Sequence, residues 1–368
     1  MRILCLLTDA FGGQGGIAKF NRDFLRALCS YPDITEVVAV PRRMPHQPEP
    51  LPQKLTYVVS GLNSKFFYFK TVLKLLGKKN QFDIIFCAHV HLLPLAYLFK
   101  LSFNSKLILM LHGVDAWQPT KRRLNNYLTR EVDTIIAVSE ITRQRFLKWA
   151  NIKRQAEIFI LPNAVELAEY GPGPKNKDLL AKYGLTGKII LMTLSRLESQ
   201  EQYKGLDEII DLVPTLLNKI PNLAYLIVGD GNDRPRLEAK ARLLGIDDRV
   251  VFAGFIPEAE KADHFRLADV FVMPGRGEGF GIVFLEALAC GIPVVGSRLD
   301  GSREALRQGE LGILVDPERP DDIQAGILAA LKRPRGIIPE GLEYFSFENF
   351  EKRCHAILRQ VIKSREAG

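Results

Sequence analysis

Residues 270–286 read VFVMPGRGEGFGIVFLE. Four apolar residues, Val270 to Met273, meet Pro274 and the glycines Gly275, Gly277, Gly279 and Gly281 before a second apolar run opens at Ile282. A short continuous apolar run bounded by Pro and Gly predicts a buried strand. The glycines predict a flexible strand-to-helix loop whose backbone can approach a ligand closely. A helix starting near Ile282 leaves its first amides without intrahelical partners, and such amides suit a phosphate. Glu278 falls in the loop and Glu286 about one turn into the helix. Two carboxylates so placed can bond two different hydroxyls of one ligand lying across the helix start.

The same alternation extends outward in both directions. Apolar runs at 189–194, 224–228, 250–253, 294–295 and 313–315 alternate with helical stretches at 207–219, 234–244 and 321–331. An earlier series has runs at 3–7, 37–40, 84–87, 107–111, 134–138 and 158–161, with amphipathic segments at 17–28 and 92–99. Pro162, Gly171, Pro172, Gly173 and Pro174 separate the two series. Near-continuous apolar strands alternating with helices predict parallel sheets covered on both faces. The expectation is an α/β protein of two doubly wound, Rossmann-like domains, 1–165 and 166–345. Ligands bind beyond the carboxyl ends of such strands, so a cleft between the domains is the expected active site.

Composition narrows the class. The chain has 368 residues, and its 47% hydrophobic fraction excludes global disorder. Charge is split unevenly: residues 1–165 hold 23 Lys+Arg and 11 Asp+Glu, a net +12, and residues 166–368 a net −4. One half therefore faces something acidic. Cys5, Cys29, Cys87, Cys290 and Cys354 are scattered and odd in number, which argues against disulfides or a zinc site and for a reducing cytoplasm. The run 3–7 is too short for a signal segment, and the greasy stretch 84–99 is broken by His89, His91 and Pro94, short of the ~20 apolar residues a spanning helix needs. The expected location is cytoplasmic, with peripheral contact at the inner face of the plasma membrane. Residues 63–79 carry Lys65, Lys70, Lys74 and Lys78 among Phe66, Phe67, Phe69, Leu73 and Leu76. This basic, aromatic helix either lies on an anionic membrane or packs its greasy face on the sheet. No nucleic-acid motif is present, so a nucleic-acid partner is not expected.

Further motifs surround the central one. Ser195-Arg196-Leu197 precedes Lys204-Gly205, Gly229-Asp230-Gly231 follows the next strand, and Phe252-Ala-Gly254-Phe255-Ile256 the one after. His112-Gly113-Val-Asp115 follows run 107–111, Ala137-Val-Ser-Glu140 and Pro162-Asn-Ala-Val165 close the first half, and Gly12-Gly-Gln-Gly15-Gly16 follows the first strand. With the Glu278-x7-Glu286 element and the Ala287–Val295 segment after it, this set resembles the retaining glycosyltransferases of family 4, which have the GT-B fold of two facing Rossmann-like domains. The resemblance runs along most of the chain in the family's order.

The resemblance implies roles. Arg196 and Lys204 would hold the donor diphosphate and stabilise the charge it gathers as the glycosidic bond breaks. Glu286 would hold the ribose hydroxyls, and Gly254, Phe255 and Ile256 would border the nucleobase. Glu278, with the backbone of Phe280, Gly281, Ile282 and Val283, would meet the sugar hydroxyls and phosphate. Gly15 and Gly16 would floor the cleft, His112 would contact the transferred sugar, and Asp115 would orient the acceptor-side loop. Residues 346–368 would form a helix crossing back to the first domain. No Asp-x-Asp pair occurs in the chain, so two fixed cations would replace a metal, and neither metal nor cofactor is expected.

The implied activity is metal-independent transfer of a hexose, from UDP-glucose or a similar nucleotide sugar, to a hydroxyl of a saccharide or lipid-linked saccharide. No residue is an obvious covalent nucleophile, and the resemblance implies a front-face mechanism in which the departing phosphate takes the acceptor's proton. Two other readings stay open. Gly13-x-Gly15-x-x-Ala18 loosely matches a dinucleotide fingerprint. The second strand ends in Pro41-Arg42-Arg43, which disfavours NAD and leaves NADP. A non-catalytic sugar-nucleotide-binding subunit is the other.

Overall fold

The computed structural model describes residues 1–77 and 81–366. Two compact units emerge, Met1–Ala164 with the segment from Phe347 onward, and Val165–Ser346. The basic first unit holds 28 Lys+Arg against 14 Asp+Glu, a net +14, and the second is left at −6. The carboxy-terminal segment therefore sharpens the charge split.

The first unit is built on seven strands: β1 Arg2–Leu7, β2 Glu36–Pro41, β3 Leu55–Tyr57, β4 Ile84–Cys87, β5 Lys106–Leu111, β6 Thr134–Ala137 and β7 Glu157–Ile160. They pair in parallel in the order β3-β2-β1-β4-β5-β6-β7. The second unit has six: β8 Ile189–Leu194, β9 Leu223–Val228, β10 Val250–Gly254, β11 Val270–Met273, β12 Val294–Ser297 and β13 Ile313–Val315, in the order β10-β9-β8-β11-β12-β13. All of its pairs are parallel too. β4, β6, β9 and β11 are buried at every residue, which is why these sequences read as unbroken apolar runs rather than alternating ones.

Strand order reverses between β1 and β4 in one unit and between β8 and β11 in the other. Chains leaving the carboxyl ends of such neighbours diverge to opposite faces of the sheet and leave a crevice. The Gly12–Gly16 turn follows β1, residues 195–205 follow β8, and the 274–281 loop follows β11. Topology therefore places the predicted motifs at the switch point of each sheet.

The carboxy-terminal helix Phe347–Glu366 packs on the helix Gly16–Ser30. The Phe350 ring meets Phe20 edge-on at 5.7 Å, Arg26 lies 4.0 Å over Phe347, and Ser30 Oγ donates to Glu351 Oε1 at 2.6 Å. Among the described residues no helix is long and apolar enough to cross a membrane. The helix Lys65–Gly77 buries Tyr68, Thr71, Val72 and Leu75. It leaves Phe66, Phe67, Phe69 and Leu73 exposed beside Lys65, Lys70 and Lys74. Lys78, expected on the same helix, lies outside the described residues.

Candidate functional site

In the second unit two loops interlock. Gly205 has φ +87, and a Cβ there would lie 2.5 Å from Pro274 O; a Cβ on Gly277 would lie 2.3 Å from the Tyr203 ring. Arg276 N donates to Tyr203 O at 2.8 Å. These glycines serve close packing of the 274–277 strand-to-helix loop onto the segment carrying Lys204, so the flexible loop expected from the sequence is a braced one. The preceding motif is braced likewise. Ser195 N donates to Val228 O at 3.0 Å and Leu197 N to Asp230 O at 2.9 Å, and a Cβ on Gly229 would stand 1.8 Å from Ser195 O.

Within this frame Arg196 and Lys204 converge. Arg196 Nη2 donates to Glu201 Oε1, and Lys204 Nζ lies 3.0 Å from Glu201 Oε2. Arg196 is largely exposed, whereas Lys204 and Glu201 are mostly buried. The two predicted diphosphate ligands thus already share one carboxylate. Glu201 was not foreseen; its one trace in the sequence is an acidic residue between two expected phosphate ligands.

The Glu278 loop has its own brace. Asp300 is fully buried and accepts hydrogen bonds from Glu278 N at 2.9 Å, Ser302 N at 3.0 Å and Ser302 Oγ. Gly301 N donates to Glu278 O at 2.8 Å. Burial raises the Asp300 carboxyl to about 7, opposed by its Ser302 and Glu278 hydrogen bonds. Asp300 gave no sequence signal, being 22 residues from the loop it holds. The Glu278 carboxylate is half-buried and makes no hydrogen bond or ion pair among the described residues. Gly281, at φ +91, caps the helix Ile282–Ala289; a Cβ there would meet the Phe284 ring at 2.5 Å. Phe280 turns its ring inward against Phe345, so it can offer a ligand its backbone but not its ring. Ile282 is buried and Val283 half-buried.

Glu286 is almost fully buried. Its oxygens lie 3.2 and 3.4 Å from Lys261 Nζ, which also pairs with Glu258 at 2.8 Å. Burial would lower the Lys261 ammonium, but Glu286 and Glu258 hold it above its ordinary value. Burial, and then Glu286, push the Tyr170 hydroxyl far up. Glu286 thus has Lys261 and Tyr170 as partners, both unforeseen. At the end of β10, Gly254 O accepts from Gly229 N at 2.9 Å; Phe255 is exposed and Ile256 half-buried.

In the first unit Gly15 adopts φ +86 at the exposed start of the helix Gly16–Ser30, and nothing lies within 4 Å of a Cβ built on it. Gly16 is exposed beside it. His112 leaves β5 and meets the Phe20 ring edge-on at 5.1 Å. Both of its ring nitrogens are buried and lack a well-formed hydrogen bond among the described residues, with only a loose contact to the Ala88 backbone. Burial, with His89 second, lowers its pKa to about 3, so it is neutral at ordinary pH. Burial raises the Asp115 carboxyl to about 7 against the pull of the backbone amides of its loop. An orphaned buried nitrogen costs about 1–3 kcal/mol unless something bonds it. Among the described residues no cluster of three His, Cys, Asp or Glu side chains could hold a metal ion.

Parallel sheets with glycine-containing turns at both switch points define a doubly wound α/β protein, a class that binds ligands beyond the carboxyl ends of its strands. The comparisons carry this further. Residues 14–169 match the Glycosyltransferase Family 4 model and residues 176–344 the Glycosyl transferases group 1 model. The chain is 31% identical over 306 residues, 79% of each chain, to a GDP-mannose-dependent alpha-(1-6)-phosphatidylinositol monomannoside mannosyltransferase of Mycolicibacterium smegmatis. It is 37% identical over 195 residues, 53% of this chain and 48% of the other, to a phosphatidyl-myo-inositol mannosyltransferase of Mycobacterium tuberculosis. Its fold matches sucrose-phosphate synthase of Thermosynechococcus elongatus with a TM-score of 0.78 at 20% identity, over 99% of this chain and 100% of that one. The chain belongs to glycosyltransferase family 4, with the GT-B fold, and is a glycosyltransferase that uses a nucleotide sugar.

Proposed function

We propose that this glycosyltransferase moves a hexose, with retention and without a metal ion, from a nucleoside-diphosphate sugar to a hydroxyl of a lipid-linked polyol or saccharide. The observation carrying this reading is the convergence of Arg196 and Lys204 on the Glu201 carboxylate, because two cations that already grip one anion are placed to grip a diphosphate. Bound there, the diphosphate displaces Glu201. As the bond between C1 and the phosphate oxygen breaks, both cations stabilise the growing negative charge, a role otherwise filled by a metal. The acceptor oxygen forms its bond to C1 on the face the phosphate leaves, and its proton passes to a phosphate oxygen. Glu278 has a carboxylate without a partner for sugar hydroxyls, and the neutral His112 can bond another hydroxyl through its orphaned nitrogens. Gly254, Phe255 and Ile256 border the base, Glu286 bonds the ribose while keeping Lys261, and Gly15, Gly16 and Asp115 shape the acceptor side.

The names of the relatives move the expected donor from UDP-glucose to GDP-mannose, and the expected acceptor toward an inositol phospholipid. Exposed Phe66, Phe67 and Phe69 beside lysines favour contact of the first unit with an anionic bilayer. Family membership displaces the NADP reading. A screen of nucleoside diphosphate release from GDP-, UDP- and ADP-sugars, with and without EDTA, tests the proposal. GDP-mannose turnover that survives EDTA supports it, and strict metal dependence removes the two-cation account. Turnover undiminished in both Glu278→Ala and Lys204→Ala would remove the site assignment.

A further inference from the structure

Between Arg196 and the Glu278 loop stands an aromatic residue whose hydroxyl has been given no role. Tyr203 lies directly before Lys204, in the short turn Gln202–Lys204. Its carbonyl accepts from Arg276 N at 2.8 Å, and a Cβ on Gly275 would lie 3.0 Å from that oxygen. Its ring lies against Gly277, where an added Cβ would come within 2.3 Å of Cδ2 and 2.7 Å of Cε2. Glycine at 275 and 277 thus leaves room for one tyrosine, gripped at main chain and ring by the loop that carries Glu278. The Arg276 side chain anchors that loop in turn, pairing with Glu208 and donating to Pro317 O at 3.1 Å. Packing, not a hydrogen bond of its own, therefore fixes the direction of the Tyr203 ring.

The hydroxyl at the end of the ring is unused. Tyr203 is half-buried, and its hydroxyl makes no hydrogen bond among the described residues. A tyrosine taken partly out of water ordinarily finds a partner for that group. The hydroxyl lies in the field of three site residues. Burial first, then the Glu201 and Glu278 carboxylates, push its pKa upward, and Arg196 opposes them. The phenol therefore keeps its proton and can only donate where an anion meets it. Arg196, Lys204 and Glu201 mark the expected place of the diphosphate, and Glu278 that of the sugar. The part of a nucleotide sugar that spans the two is the phosphate bearing the sugar. A wedge that merely filled the space above Gly277 would need no hydroxyl, since phenylalanine has the same ring.

We propose that Tyr203 is a further donor-site residue, whose hydroxyl donates a hydrogen bond to the sugar-bearing phosphate between the two cations and Glu278. As the bond between C1 and the phosphate oxygen breaks, its electron pair stays on that phosphate, and the hydrogen bond strengthens with the growing charge. The phenol keeps its proton throughout, and the acceptor's proton passes to the phosphate. The inference rests on the glycosyltransferase reading and adds a neutral third donor to Arg196 and Lys204.

The test compares the full chain with Tyr203→Phe, which removes the hydroxyl and leaves the ring on Gly277. Calorimetric titrations use GDP against GMP and UDP against UMP, so the comparison does not depend on the base. A monophosphate lacks the phosphate in question and reports on the rest of the site. Single-turnover GDP release from GDP-mannose and thermal unfolding are read on the same proteins. In the variant, diphosphate binding should weaken about tenfold while monophosphate binding stays the same. The single-turnover rate at saturating donor should fall about tenfold or more, with the unfolding midpoint unchanged. Equal weakening of both nucleotides would make Tyr203 a brace of the loop and overturn the inference, even in a variant that unfolds more readily. Diphosphate binding and turnover equal to the wild type would overturn it too. Wild-type turnover with variant-insensitive diphosphate binding refutes the contact alone. A variant that loses only diphosphate affinity, in a protein whose wild type turns over none of GDP-mannose, UDP-glucose and ADP-glucose, supports the contact and refutes the enzyme reading alone.

Discussion

Glu201→Gln is the perturbation that most sharply interrogates the donor site. The wild-type carboxylate holds Arg196 and Lys204, so an incoming diphosphate must break both interactions before it can use those cations. The Arg196 pair is exposed and worth no more than about 1 kcal/mol. The Lys204 pair is mostly buried at 3.0 Å, and its loss costs about 1 kcal/mol more as a charge-assisted contact. Gln is nearly isosteric, keeps a weaker hydrogen bond and removes the competing charge. Recovering about 1–1.4 kcal/mol corresponds to roughly five- to tenfold tighter binding of a nucleoside diphosphate. Isothermal titration at low ionic strength reads this directly, and the gain should shrink in ~0.5 M salt. Repeating the titration in Arg196→Ala should remove most of the gain, since the two changes act on one cluster. Unchanged binding would mean that the diphosphate never meets these cations. Weakened binding would mean that Glu201 pre-organises them rather than competing.

Two further expectations concern the braces around the site. In Gly277→Ala the new Cβ would fall 2.3 Å from the Tyr203 ring, so thermal unfolding should show a loss of about 1–3 kcal/mol, with kcat/KM falling more than stability explains because Lys204 moves with Tyr203. Asp300→Asn removes a buried carboxyl whose folded value, about 7, lies above its unfolded value near 3.8. The folded wild type therefore holds that proton more tightly. Its stability relative to Asp300→Asn is fullest below about pH 4 and is lost as pH rises through about 7, at roughly 1.4 kcal/mol per pH unit between them. Denaturant titrations of both proteins from pH 4 to 8 read the difference, and parallel curves would show that Asp300 does not titrate there.

Much of this architecture was legible because parallel strands buried on both faces leave unbroken apolar runs, as at Val270–Met273 and Leu223–Val228. The helix start at Ile282 was legible from the glycines before it. β3 was not, because its three residues, Leu55–Tyr57, form an edge with neither the length nor the burial of the others. The purpose of Gly277 was misread, and that of Gly229 could not be read at all, for a related reason. A glycine needed for backbone freedom and one needed for close approach look identical in sequence, and only the Tyr203 ring and the Ser195 carbonyl tell them apart. Asp300 and Lys261 were invisible because each reaches a predicted residue, Glu278 or Glu286, from a distant part of the chain. Local spacing carries no trace of such pairs. The helix Lys65–Gly77 illustrates the opposite limit. Its lysines were found, but which aromatics face the core depends on packing, which selects Tyr68 and leaves Phe66, Phe67 and Phe69 outside.

In the proposed reaction Arg196 and Lys204 stabilise a departing nucleoside diphosphate. The most direct test is the single-turnover rate of GDP release from GDP-mannose, in the presence of an inositol-phospholipid acceptor, by the wild type and by Lys204→Ala. Loss of one preorganised contact to the developing charge predicts a rate 10²–10³-fold lower in the variant. A variant that releases GDP at the wild-type rate would contradict it.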